Sequence, residues 1–200
     1  MKQSYTYSIV FTLIVSAVFT LVLATTANVL KPRIEANQEL AEQSALLYTF
    51  DLPSEGSPEE VEANFQKYIQ EQATENFTYF QAVNDEGEVV AYALPFEGSG
   101  LWGAIHGWLG VDESLEQVTG IVFTDQNETP GLGGRIDEEW FKEQFRGLVI
   151  DPATPVRYGP SGDTSIDAIS GATQTSNAVI SIVNKVVQET LVELEGVLNG

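Results

Sequence analysis

The sequence predicts an α+β fold, in which a single amino-terminal transmembrane helix precedes one domain built on a mainly antiparallel sheet flanked by helices. Three observations predict it: an uncharged apolar run at 7–30, alternating apolar and polar segments grouped at 77–125, and helical periodicity on both sides of that group. The 200 residues leave room for one domain of about 140 to 150 residues beside the anchor.

The apolar run is long enough to span a bilayer. No charged side chain lies between Lys2 and Lys31, and about 20 helical residues cover the roughly 30 Å of a hydrocarbon core. A cleaved signal peptide is the alternative, with "TTA" at 25–27 as a weak cleavage site, although such peptides have shorter apolar regions. Basic residues on both flanks leave the orientation undecided by charge.

The segments around the span follow from local signals. Residues 1–6 form a short tail, 31–56 a helical stalk and linker that Pro32 interrupts near the membrane exit, and 57–200 the domain. Ser57, Pro58 and Glu60 have the spacing of a capping box, which predicts a helix running to about Ala73.

The middle of the chain predicts strands. Segments 77–83 and 88–95 flank "NDEG", which predicts a hairpin with Gly87 at positive φ. Segments 104–111 and 116–125 also alternate like strands.

Two later segments predict helices. Residues 136–147 predict a short amphipathic helix with Trp140 and Phe141 facing inward and Gly147 as its stop. The final helix is predicted from Asn177 to about Leu198.

The composition excludes several classes of function. The net charge of -20 argues against nucleic-acid binding, which needs a basic face. The absence of cysteine excludes disulfides, zinc thiolates and a thiol nucleophile. His106, the only histidine, is interpreted as a structural residue, so the sequence supports neither a metal site nor a catalytic residue.

Two stretches go beyond what folding requires. "ETPGLGG" at 128–134 places three glycines in four positions, which suits either a tight turn or close approach of the backbone to a flat ligand. "SGATQTS" at 170–176 places hydroxyls and small residues before the last helix. Taken alone, Thr175 or Ser176 is interpreted as a helix cap, but a helix N-terminus also suits a phosphate.

Taken together, the two stretches resemble the FMN-binding domain family. "SGAT", preceded by Asp167, resembles that family's flavinylation motif, and "ETPGLG" resembles its companion stretch. The resemblance continues through "GSGLWGAIHGWLGV" at 98–111 and "LKPR" at 30–33. The family includes the C subunit of the Na⁺-translocating NADH:quinone oxidoreductase (Nqr) and the G subunit of the Rnf electron-transport complex. The "LKPR" and "GLW" segments lean slightly towards the former, while the compact length and "WFKEQF" resemble the latter.

The resemblance implies a covalent FMN, joined through its phosphate to the Thr173 hydroxyl by a separate flavin transferase that recognises Asp167 to Thr173. It also implies that the following residues shape the attachment turn or line the ring: Ser170, Gly171, Ala172, Thr175, Ser176, Glu128, Thr129, Pro130, Gly131, Leu132, Gly133, Leu101 and Trp102.

The function implied is an electron-relay subunit of an Nqr- or Rnf-type complex in the bacterial inner membrane, with its carboxy-terminal domain on the periplasmic side and other membrane subunits as partners. Two alternatives stay open: a free-standing, membrane-anchored extracytoplasmic flavoprotein reductase, and a flavin-free anchored binding module. The coupling ion, the electron donor and acceptor, and the flavin potential are left open by the sequence.

Overall fold

A computed structural model describes residues 5–159 and 163–199 of the chain. A long amino-terminal helix is followed by a five-stranded antiparallel sheet with helices packed against it. The predicted α+β class is therefore confirmed.

Helix α1 runs without a break from Tyr5 to Thr49. It is long and apolar enough to cross a membrane, with a mean hydropathy of 2.4 over its most apolar 18 residues. Pro32 lies inside it and does not end it, contrary to the predicted interruption. A proline removes only one helical hydrogen bond, and the neighbouring turns on both sides continue the ladder.

The chain divides into two compact units, residues 1–41 and residues 42–200. The second unit begins within α1, whereas the sequence placed the start of the domain at residue 57. Leu46 and Leu47 are fully buried and Phe50 is nearly so, because the last turn of α1 packs within this unit.

Helix α2 (Pro58–Tyr68) has the predicted capping box. The Ser57 hydroxyl accepts from the Glu60 N–H, and the Glu60 carboxylate accepts from the Ser57 N–H at 2.8 Å. The prediction that this helix reaches Ala73 is wrong. Residues Ile69–Ala73 form strand β1, because they pair along their whole length with the next strand.

The sheet is a meander in the order β1 to β5. Its further strands are β2 (Thr78–Val83), β3 (Val89–Ser99), β4 (Ala104–Asp112) and β5 (Val118–Asp125). The predicted hairpin joins β2 to β3, and Gly87 has a φ of 83°.

Both faces of the sheet are covered. On one face, Leu94 of β3 and Leu109 of β4 belong to a buried cluster with Val179 and Val183 of the last helix. On the other face, Phe80 meets Phe65 of α2 and Trp108 of β4 with ring centroids 6.3 and 5.1 Å apart. Successive side chains along a strand point to opposite faces of the sheet, so one strand can contribute apolar residues to both faces.

The segment after β5 is less regular than predicted. A 3₁₀ turn (Gly133–Asp137), a short helix α3 (Glu139–Lys142) and a second 3₁₀ turn (Glu143–Phe145) replace one amphipathic helix. Phe141 faces the core as predicted, but Trp140 is 41% exposed, so its predicted inward orientation is wrong. In one short turn only one of two adjacent side chains reaches the core.

The chain then forms a two-residue parallel pair, β6 (Arg157–Tyr158) with β7 (Ser165–Ile166), before its last helix. That helix comprises α4 (Thr173–Lys185), a π-helical segment (Val186–Leu191) and α5 (Val192–Asn199). It begins four residues earlier than predicted, which places Thr173, Thr175 and Ser176 in its first turn.

Candidate functional site

A cavity of about 270 Å³ lies where the segment after β5 meets the start of α4. It is lined by residues from three separate parts of the chain: Leu101, Glu128, Thr129, Leu132, Gly133, Gly171, Ala172, Thr173, Gln174 and Thr175. The two sequence stretches that resemble the FMN-binding family therefore form the walls of one site.

Glu128 is the buried acidic residue of this site, with 5% of its surface exposed. Its Oε1 accepts from the backbone N–H groups of Leu101 at 2.7 Å and Trp102 at 3.0 Å. Its Oε2 accepts from the Thr175 hydroxyl at 2.5 Å. In all three contacts the carboxylate is the acceptor.

Glycines make room for this carboxylate. A Cβ at Gly133 would lie 2.8 Å from the Glu128 carboxylate and closer still to the Thr175 hydroxyl. A Cβ at Gly100 would lie 2.9 Å from the Ile105 side chain and would also meet Glu128. Gly131, with a φ of 75°, has nothing within 4 Å of such a position, so its role is conformational.

The four hydroxyls between residues 170 and 176, all of which the structure describes, have different environments. Thr175 and Ser176 are buried and hydrogen-bonded, the latter accepting from the Ile169 N–H at 3.1 Å. Ser170 and Thr173 are exposed, and of these two only Thr173 lines the cavity. Thr173 therefore presents the hydroxyl that is both accessible and inside the site.

Thr173 is the first residue of α4, and the N-cap residue Ala172 supplies no capping side chain. The predicted cap at Thr175 or Ser176 is wrong, because both lie within the first turn and bond elsewhere. The first N–H groups of a helix have no partner within it, and the helix dipole is positive there. This end of α4 suits a phosphate.

The turn before α4 is braced from two directions. The Tyr158 hydroxyl donates to the Ser176 carbonyl, and burial raises the pKa of Tyr158 well above its ordinary value. The Gln144 side chain accepts from the Asp167 N–H at 2.7 Å. These contacts fix the first turn of α4 and the segment before it against other parts of the domain.

The structure separates the predicted site residues into two groups. Nine line the cavity: Leu101, Glu128, Thr129, Leu132, Gly133, Gly171, Ala172, Thr173 and Thr175. Six are not among its lining residues: Trp102, Pro130, Gly131, Asp167, Ser170 and Ser176. Sequence reasoning missed Gln174, whose position between Thr173 and Thr175 was the available signal.

His106 lies on β4 opposite Glu97 of β3 and is not among the residues that line the cavity. Its interpretation as a structural residue stays a prediction.

Comparison with known proteins points to a class. Residues 100–188 match the model of the FMN-binding domain family. The match includes both stretches that wall the cavity.

Among individual proteins, the chain is similar to the C subunit of the Na(+)-translocating NADH-quinone reductase of Pasteurella multocida, at 43% identity over 103 residues. That alignment covers 48% of this chain and 40% of the relative, so the chain spans about two fifths of the length of the relative it matches.

Two solved structures share the fold. The crystal structure of Shewanella oneidensis NqrC matches with a TM-score of 0.66 and 20% identity, covering 77% of this chain and 96% of that one. The crystal structure of the corresponding C subunit from Parabacteroides distasonis matches with a TM-score of 0.64 and 24% identity, covering 80% and 96%.

Proposed function

We propose that this chain is a membrane-anchored subunit that carries FMN covalently on Thr173 and relays electrons within an Nqr-type oxidoreductase complex. The family match and the naming of the relatives support the cofactor and the type of complex. The Pasteurella relative is named as an Nqr subunit, which favours Nqr over Rnf.

The observation that carries the proposal is the placement of Thr173. Its hydroxyl is exposed, lines the cavity and stands at the uncapped start of α4. A phosphodiester there keeps one negative charge, which the helix N-terminus stabilises by about 0.3 to 1 kcal/mol.

The residues of the cavity fit the rest of FMN. Leu101 and Leu132 are 47% and 46% exposed at its edge, which offers apolar surface for a flat ring. Gly171, with a φ of 79°, keeps the approach to Thr173 free of a side chain. The redox chemistry belongs to FMN, while the chain holds and orients it.

Attachment needs an external enzyme. The carboxylate of Glu128 accepts a hydrogen bond from the buried Thr175 hydroxyl. Because it is already paired with Thr175, we do not assign it the role of a base for Thr173. A threonine hydroxyl is a weak nucleophile without a base. We propose that a flavin transferase moves the FMN phosphoryl group of FAD onto the Thr173 oxygen: the pyrophosphate bond of FAD breaks, AMP leaves and the hydroxyl proton is released. Asp167 to Thr173 form its recognition segment.

The proposed location follows from the apolar helix α1 and from the covalent attachment of FMN. Helix α1 provides one span for the bacterial inner membrane, and we place residues 42–200 on the periplasmic side, where lost FMN could not be recaptured. A covalent link prevents dissociation, and this advantage is greatest outside the cytoplasm.

The proposal is tested with Thr173→Val, which removes the hydroxyl while keeping the side-chain volume. In cells with the transferase, the wild-type band should fluoresce under blue light after denaturing electrophoresis, and the variant band should be dark. Asn177→Ala, an exposed change one turn further along α4, is the matched control and should stay fluorescent. A fluorescent Thr173→Val band would contradict the assignment.

A further inference from the structure

The carboxylate of Glu128 lies where three separated segments meet. Its Oε1 holds the 100–103 turn through two backbone N–H groups, and its Oε2 holds the first turn of α4 through Thr175. Glu128 itself belongs to the segment after β5. We name these three hydrogen bonds the Glu128 junction.

The Glu128 junction joins all three segments that line the cavity. The partners are 27, 26 and 47 residues away in sequence, so no local structure brings them together. Leu101 lies at the cavity edge on one side, and Thr173 lies on the other. The spacing between them therefore depends on this carboxylate.

The backbone on either side of the junction is shaped for it. Gly100 and Gly133 both approach so closely that any Cβ would collide with Glu128 or with its partner Thr175. A side chain at either glycine would therefore disturb the contacts of the carboxylate.

A second set of hydrogen bonds holds the backbone of Glu128. Its own N–H donates to the Gln126 side-chain oxygen at 2.6 Å, and the Gln126 amide donates to Asp137 at 2.7 Å. Glu128 is thus held through its backbone as well as through its carboxylate.

We propose that Glu128 is a positioning residue: it fixes the Leu101 edge against the start of α4 and so sets the shape in which the flavin ring is held. It acts through hydrogen-bond acceptance and makes no covalent contact with the cofactor. This inference rests on the proposed function for its ligand, but the three hydrogen bonds of the junction are made entirely by protein groups.

Two variants of Glu128 distinguish the effect of its hydrogen-bond acceptor from the effect of its negative charge. Glu128→Ala removes all three hydrogen bonds. Glu128→Gln keeps an oxygen for the Leu101 and Trp102 N–H groups, and its amide can donate to the Thr175 hydroxyl, which also accepts. Glu97→Ala, at an exposed position of β3, is the control for loss of a carboxylate.

The first measurement is amide hydrogen exchange on the full flavin-free chain in detergent, expressed without the transferase. In Glu128→Ala, the Leu101 and Trp102 amides should exchange at least about tenfold faster, because each loses a charge-assisted hydrogen bond. Glu128→Gln should stay within about threefold of wild type, and Glu97→Ala should match it. Equal exchange in Glu128→Ala and Glu97→Ala would overturn the proposal.

If Glu128→Ala fails to fold, Thr175→Val tests the other arm of the junction. It should speed exchange of the Ser176 amide, which bonds to the Ala172 carbonyl at 2.9 Å, and Thr175→Ser should restore protection. Unchanged exchange in Thr175→Val would overturn the proposal as well.

The second measurement uses the flavin-loaded full chain and compares visible circular dichroism per attached flavin. Glu128→Ala leaves Thr173 intact, so it should keep covalent flavin but lose at least about half of the flavin band, since a loosened wall no longer imposes one ring orientation. Glu128→Gln should keep the band. An unchanged band in Glu128→Ala contradicts the positioning role. If wild type carries no flavin, the proposed function fails, and the exchange experiment still decides the role of Glu128.

Discussion

Gly133→Ala tests the crowding at the cavity wall. Gly133 lies in a 3₁₀ turn, and its φ is outside the left-handed region, so alanine meets no backbone strain there. The added methyl would lie 2.8 Å from Glu128 Oε2 and would also overlap the Thr175 hydroxyl. Glu128 and Thr175 are buried, and the Thr175 hydroxyl donates a hydrogen bond to Glu128 Oε2. Neither side chain can therefore move away from the methyl without weakening that hydrogen bond.

The expected cost follows from these contacts. Overpacking a well-packed site costs about 1 to 3 kcal/mol, and each kcal/mol lowers the Tm of a domain of this size by about 2 to 4 °C. Replacing glycine also restricts the unfolded chain, which offsets about 0.4 to 1 kcal/mol. Gly133→Ala should therefore lower the Tm by several degrees.

The assay is thermal unfolding of the full flavin-free chain in detergent, followed by circular dichroism. Gly134→Ala is the matched control, because it shares the unfolded-state effect while its nearest neighbour, the Thr129 carbonyl, lies 3.3 Å away. The control should change the Tm little. If Gly133→Ala is as stable as Gly134→Ala, the packing described around Glu128 is wrong.

Two further predictions concern the packing of the core and the loss of folding stability at alkaline pH. Phe141→Ala should cost about 3 to 5 kcal/mol because its ring is fully buried. Trp140→Ala should cost less, about 1 to 2 kcal/mol, because Trp140 is 41% exposed but its ring contacts Phe141 and Arg135. If denaturant unfolding shows that the two variants lose similar free energies of unfolding, the inward orientation of Phe141 and the outward orientation of Trp140 are wrong. Burial, and then the hydrogen bond to Glu143, raise the pKa of Tyr48 to about 12 from 10.0. Its contribution to stability is thus complete below about pH 10 and is lost as the pH rises to about 12, so Tyr48→Phe should flatten that part of the stability curve. An identical alkaline decline in Tyr48→Phe would show that other groups cause it.

Local signals predicted the elements that depend on neighbouring residues. The capping box at Ser57 and the turn at Gly87 need only residues three or four positions apart, and both form as predicted. The end of α2 was missed because residues 69–73 carry no strong periodicity, and pairing with β2 decides their conformation.

The cavity walls were predicted in part. The resemblance pointed to both stretches, and the structure brings them together around Thr173. The role of Glu128 could not be predicted, since its three donors lie 26 to 47 residues away and only tertiary packing joins them. The start of α4 was misplaced because the buried hydroxyls of Thr175 and Ser176 resemble a cap in sequence.

The central claim is a phosphoester between FMN and the Thr173 hydroxyl, and intact mass with peptide mapping of the chain purified from its native membranes tests it most directly. The account predicts an added mass equal to FMN less one water, located on Thr173 in the peptide that spans the start of α4. An unmodified Thr173, or the same mass on a different side chain, would contradict it.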